Sequence, residues 1–140
     1  MKNFEVLSVY ENTEDGIFIV QPMARHPIGA SAEFGAPTLV PDAQFDTHIA
    51  TAVMENLAKY HKQVYDQDTA AARSDKEQRD FVKAHLNVSL TRYPSGEICI
   101  YPMRRKSGGY TGTGEKIVLR ADEVPENLAS ALREAFSKSS

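Results

Sequence analysis

Phe4-Glu5-Val6-Leu7-Ser8-Val9-Tyr10-Glu11, Thr13-Glu14-Asp15-Gly16 and Ile17-Phe18-Ile19-Val20-Gln21-Pro22-Met23-Ala24 form the stretch that decides the fold. In the first segment Leu7 and Val9 fall on one face of an extended chain, and Phe4, Val6, Ser8 and Tyr10 on the other. Alternation of this kind has the period of a strand. The middle segment is turn chemistry, so strands over 4–11 and 17–24 are expected to close as an antiparallel hairpin. Pro22 has no N–H to give to a ladder and marks an edge or a strand end.

Downstream, residues 25–41 carry Pro27, Pro37, Pro41, Gly29 and Gly35 and show no period. They read as a long loop that either carries function or simply crosses from sheet to helix. Phe45, Ile49, Val53, Leu57, Tyr60 and Val64 then recur every three or four positions, which predicts a helix over 42–66 with Asp42 as its cap. Ser74-Asp75-Lys76-Glu77 is a capping-box pattern opening a short helix to about Ala84. Leu86, Val88 and Leu90 alternate inward against Asn87, Ser89 and Thr91. Pro94-Ser95-Gly96 turns the chain into a strand with Ile98, Ile100 and Tyr101. Residues 104–116 are basic and glycine-rich, and Ile117-Val118-Leu119 is one more strand. Val124, Leu128, Leu132 and Phe136 mark a last helix, with Pro125 in its first turn.

The expected order is therefore ββ-αα-βββ-α. Strand runs and helix runs are segregated, which predicts an α+β fold with an antiparallel sheet of about five strands packed by about three helices. The 140 residues fit one domain, and no internal repeat interrupts them. Cys99 is the sole cysteine, so no internal disulfide forms, as suits a reducing compartment. No leader is evident at Met1-Lys2-Asn3-Phe4-Glu5, and no run of about 18 apolar residues exists to span a bilayer. A cytoplasmic location is expected.

Most tests for chemistry fail. In Gly109-Tyr110-Thr111-Gly112-Thr113-Gly114-Glu115-Lys116 a carboxylate separates the last glycine from the lysine, and a strand follows where a phosphate loop needs a helix. The dinucleotide pattern lacks its third glycine. Among His26, His48, His61 and His85 there is no zinc-binding spacing. His48 and His61 share the long predicted helix but lie about 20 Å apart along it. Cys99, between Ile98 and Ile100, reads as a buried structural thiol rather than a nucleophile. No metal, no cofactor and no catalytic residue is expected, and the chain reads as a binding protein rather than an enzyme.

Charge is unevenly placed. Residues 1–46 hold seven acids against two bases, whereas residues 87–120 hold six bases against two acids. Such asymmetry steers charged partners, although it also serves solubility. Arg104-Arg105-Lys106, with Tyr93, Tyr101 and Tyr110 nearby, leaves a second reading open: a small-ligand or nucleic-acid-binding domain using the basic hairpin 104–116. An isoelectric point near 5.8 argues against direct nucleic-acid binding.

Three stretches carry a family resemblance. They are the opening hairpin, the segment Pro27-Ile28-Gly29-Ala30-Ser31-Ala32-Glu33-Phe34-Gly35-Ala36-Pro37, and the ending from Gly96-Glu97-Ile98-Cys99-Ile100-Tyr101 to Leu128-Ala129-Ser130-Ala131-Leu132. With its size and acidity, the chain resembles the small immunity proteins of bacterial contact-dependent growth inhibition systems. The resemblance implies a partner, the C-terminal toxin domain of a large secreted CdiA-type protein, which is often a nuclease and here expected to be an RNase. It transfers no residue roles. A nuclease needs a basic cleft for its substrate's backbone, and carboxylates placed in that cleft would mimic it. The expected interface is therefore acidic: Glu11, Glu14 and Asp15 on the first turn, with Glu33, Phe34, Asp42 and Asp46 on the loop and helix start. Phe34 is the expected aromatic anchor, unless it packs down to pin the loop.

Overall fold

The computed structural model describes residues 4–26, 31–60 and 73–140. The opening hairpin forms as the pattern requires: β1 (Glu5–Asn12) pairs antiparallel with β2 (Ile17–Arg25), Val9 opposite Val20. Asn12 shapes the turn, its Oδ1 accepting from the Glu14 N–H at 2.9 Å. Gly16 adopts φ +71°, a conformation few side chains tolerate.

Residues 27–30, with Pro27 and Gly29, lie outside the described residues, but the rest of the segment 25–41 holds more regular structure than its proline and glycine content suggests. It holds β3 (Ser31–Glu33) and β4 (Thr38–Pro41), which pair with different halves of β2. After α1 (Phe45–Ala58) and α2 (Asp75–Ala84) come β5 (His85–Arg92), β6 (Ile98–Lys106), β7 (Gly109–Gly112) and β8 (Ile117–Leu119), followed by α3 (Leu128–Lys138). The fold is α+β: the described residues form eight antiparallel strands, six in the path β3-β2-β1-β5-β6-β7, with β4 also joining β2 and β8 also joining β6. Three strands beyond the expected five are thus β3, β4 and β7. Each is three or four residues long and has too few positions to show alternation.

In both β2 and β6 a proline sits where the strand passes from one short partner to the other. Pro22 lies inside β2, opposite Leu7 of β1, and its carbonyl accepts from the Phe34 N–H at 3.2 Å. In an extended residue the C=O and the ring nitrogen face the same edge, so the missing donor falls where β4 gives way to β3. Pro102 plays the same part in β6: it sits opposite Val88, and its carbonyl accepts from Thr113 in the gap between β8 and β7. Proline is tolerated there because the outer ladder is already interrupted.

One sheet face carries Leu7, Val9, Phe18, Val20, Val88, Leu90, Ile98 and Ile100, all buried against α1 and α3. The helical stripe Phe45, Ile49, Val53 and Leu57 is fully buried there. Phe18 packs on Phe45 at 4.4 Å between ring centroids and on Phe136 at 5.3 Å. The opposite face is covered at one end by α2, which rests on β5 and β7.

Several helix details differ from expectation. Residues 42–44 form a 3-10 turn and α1 starts at Phe45, so Asp42 caps nothing. α1 stops at Ala58, and the expected continuation over 61–66, with His61 and Val64, lies outside the described residues. Ser74 does form the capping box with Glu77. Pro125 precedes α3 rather than opening its first turn; its carbonyl accepts from the Leu128 N–H at 3.1 Å. Asn87, expected to face outward, is 4 % exposed and donates to the Val9 carbonyl at 3.1 Å. Its face is not solvent but the floor beneath α2.

Candidate functional site

The structure divides the seven sequence-chosen interface residues between two places. Glu11, Glu14, Asp15, Asp42 and Asp46 gather where the β1–β2 turn meets the start of α1. The Asp42 N–H donates to the Gly16 carbonyl at 3.0 Å, fastening helix start to turn. Arg133 of α3 lies among these acids, with Nη1 2.8 Å from Asp42 Oδ1 and Nε 3.7 Å from Asp46 Oδ1. Its guanidinium also lies 4.1 Å from the centroid of the Phe45 ring, which fixes its position. Glu11 is half-buried. Burial first, and the Asp42 charge second, raise its pKa, while Arg133 lowers it. Glu14 and Asp15 are exposed, and Asp15 Oδ1 accepts from the Ile17 N–H at 2.9 Å. This end of the molecule thus sets Glu11, Asp42 and Asp46 about one guanidinium, with Glu14 and Asp15 exposed on the adjoining turn.

Glu33 and Phe34 lie elsewhere. Glu33 pairs with Met23 in the β2–β3 ladder and stands on the sheet face opposite the core. Its carboxylate accepts a hydrogen bond from the Tyr10 hydroxyl and lies 3.4 Å from Arg73 Nη2. Such a carboxylate is engaged within the chain. Phe34 is half-buried and lines a cleft of about 270 Å³ with Gln21, Glu33, Gly35, Pro37 and Arg73.

Behind Glu33 runs a polar-aromatic cluster that sequence reading did not assemble. Tyr10 meets Phe81 edge-on at 4.9 Å, and Phe81 stacks on His85 at 3.9 Å. Arg73 covers the Phe81 ring at 3.7 Å. The His85 ring is satisfied by the Phe81 carbonyl at 2.7 Å from Nδ1. Burial, then the Glu33 charge, push the Tyr10 phenol far above its ordinary value. Burial lifts Tyr110 to about 12. The signal was present in the alternation of β1, which put Tyr10 on the non-core face, but its partners come from α2 and β7, distant in sequence.

Past α2 the same sheet face is open. The exposed large apolar side chains Leu39, Tyr93 and Val118 all belong to it: Leu39 pairs with Ile19, and Val118 pairs with Cys99. Between them Tyr101 is raised well above the usual phenol range by burial and by its hydrogen bonds with Tyr93 and Cys99. Cys99 is buried, as its apolar neighbours suggest, with its Sγ 3.9 Å from a Glu97 oxygen.

No protein-family model matches the sequence, and no curated protein matches it either. Solved structures do match. The fold resembles that of a chain from a toxin and immunity complex. That complex is the CdiA-CT/CdiI toxin and immunity complex from Yersinia pseudotuberculosis; the TM-score is 0.73 at 16 % identity, covering 99 % of this chain and 98 % of the matched one. A protein of unknown function from Neisseria meningitidis aligns with a TM-score of 0.75 at 19 % identity, over 100 % of this chain and 98 % of that one. With the chain from the CdiA-CT/CdiI complex, then, the overall fold is shared over nearly the full length of both chains.

Among the described residues, no group of three or more His, Cys, Asp or Glu comes together to hold a metal ion. None of the helices described is long and apolar enough to cross a membrane.

Proposed function

We propose that this chain is an immunity protein that binds and neutralises the C-terminal toxin domain of a contact-dependent growth inhibition system. The observation that carries the reading is the end-to-end fold match to a chain of a toxin and immunity complex. The partner is the C-terminal region of a CdiA-type protein, and its activity is that of a nuclease, an RNase. The chain acts in the cytoplasm by occupying its partner rather than by turnover.

The acidic end supplies the docking charge. Glu14 and Asp15 project on the turn, and Asp42 and Asp46 share one arginine, so the negative charge exceeds what Arg133 balances. A basic nuclease cleft complements it, and such complementarity raises association toward about 10⁸–10⁹ M⁻¹s⁻¹. Glu33 and Phe34 form a separate contact at the rim of their cleft.

One observation favours a second docking surface. Leu39, Tyr93 and Val118 expose apolar area on a single sheet face, and aromatic anchors are where binding energy concentrates. Charge reversal and truncation separate the two. If the acidic end docks, Glu14→Lys with Asp42→Lys slows association and makes it less salt-dependent, while Tyr93→Ala leaves the association rate unchanged. An unchanged rate and affinity across reversals at Glu11, Glu14, Glu33 and Asp42 would refute the acidic interface.

A further inference from the structure

The β6–β7 hairpin and α2 enclose a second cleft, of about 260 Å³, whose charge is of the opposite sign to the acidic end. Arg79 and Lys83 reach it from one face of α2, four positions apart, and Arg105 and Lys106 reach it from the hairpin. The rest of its lining is Val82 and the tip Ser107–Gly108, with no carboxylate. Asp75 lines the neighbouring recess instead.

The cleft is built rather than incidental. Ser107 at φ 50° and Gly108 at φ 77° make a turn with two left-handed residues, which matches the twist of the paired strands. Gln78 Nε2 donates to the Gly108 carbonyl at 3.2 Å, tying helix to hairpin tip. Arg105 Nε donates to the Val82 carbonyl at 2.6 Å, at the end of α2, which fixes the guanidinium in the cleft's lining. Tyr110 donates to the His85 carbonyl at 2.8 Å and locks β7 beneath. Among the described residues, Arg79, Lys83 and Lys106 make no close ion pair; Asp80 of α2, whose carboxyl is held low mainly by Lys76, feels the Lys83 and Arg79 charges only as smaller contributions.

We propose that this cleft is an oxyanion site that takes a phosphate group. A single carboxylate would leave most of the four positive charges uncompensated, whereas a phosphate brings more charge and oxygens on several sides for donors on two elements. Arginine forks suit that geometry. The site stands independently of the immunity reading. It also differs from the glycine loop 109–116, most of which is strand β7 and the turn after it.

The test uses the full chain in phosphate-free buffer, with a fluorescein-labelled single-stranded RNA of about 12 nucleotides as probe and inorganic phosphate as both ligand and competitor. The comparison variants are Lys83→Glu with Lys106→Glu, both exposed side chains, and Arg104→Glu on the other sheet face, each checked for an unchanged thermal midpoint. Expected is saturable binding of RNA, of phosphate or of both, weakened about 10-fold or more in the double variant and less than about 2-fold in Arg104→Glu. For RNA the salt slope falls by about 1.4, the share of two phosphate contacts. Displacement of RNA by millimolar phosphate assigns a free phosphate group, and RNA binding that resists phosphate assigns a polymer backbone. Absence of saturable binding by either probe, equal loss in Arg104→Glu, or displacement by a glutamate-rich peptide as effective as by phosphate overturns the proposal.

Discussion

The Tyr10 hydroxyl donates a hydrogen bond to the Glu33 carboxylate, linking the centre of the sheet to its outer strand and holding Glu33 beside Arg73. The bond spans 23 positions, so it pins the proline-rich segment onto the opening hairpin. Without it Glu33 keeps Arg73 but loses its buried donor. Tyr10→Phe is expected to destabilise the fold by about 1–2 kcal/mol in urea unfolding at neutral pH.

The same residue, with Tyr101 and Tyr110, makes stability fall at alkaline pH. Tyr10 is held neutral by burial and by the Glu33 charge, so its folded pKa lies above the unfolded value of 10.0. A group raised in this way contributes its full share below the unfolded pKa and loses it as pH climbs. Stability is expected to fall above about pH 10, with Tyr10 alone contributing a slope of about 1.4 kcal/mol per pH unit. Tyr10→Phe removes that share of the slope, which unfolding curves between about pH 9 and 11 measure.

At the other end Glu11 is raised by burial and by Asp42. Its charged form is disfavoured in the folded chain, so the stability it contributes is present below the unfolded value of 4.5 and is lost as pH rises through the folded pKa. Glu11→Gln should therefore be more stable than the parent at about pH 7 and no more stable at about pH 3.5. If Glu11 serves the partner, the same variant associates more slowly with the toxin.

Phe45 is wholly buried between Phe18 and the Arg133 guanidinium. Phe45→Ala is expected to cost about 3–5 kcal/mol, enough to approach the whole stability of a domain this size. Chemical denaturation reads it directly. Arg133 also loses the ring that holds it beside Asp42, so the acidic end becomes looser as well as the core.

Ser74 caps α2, accepting from the Glu77 N–H at 3.2 Å while the Glu77 carboxylate accepts from the Ser74 N–H. Ser74→Ala is expected to cost about 1 kcal/mol and to speed amide exchange in the first turn of α2. Because Arg79 and Lys83 ride on that helix, phosphate binding at the basic cleft weakens with it.

The sequence makes the skeleton legible where local rules and global packing agree. Leu7 and Val9 alternate because one sheet face is buried, and Phe45 to Leu57 recur because one helix stripe is buried. The stretches that misled carry too little local pattern. Strands β3, β4 and β7 owe their form to long neighbours with unfilled edges, not to their own propensity. Asn87 read as an outward residue because nothing in its strand announces that α2 lies over it. Acidic residues were readable one by one, but their grouping was not: Asp42 and Asp46 are drawn together by Arg133, 91 positions beyond Asp42. Glu33 could not be told apart from them, since its engagement depends on Tyr10 and Arg73.

The central claim is that this chain exists to block a partner toxin. The direct measurement titrates the purified chain into the C-terminal domain of a CdiA-type protein, where one is encoded immediately upstream, and follows that domain's activity on RNA. The account predicts complete inhibition at equal molar amounts and a Kd of about 10⁻⁹ M or tighter. Undiminished activity with the chain in large excess, and no complex on gel filtration, would contradict it.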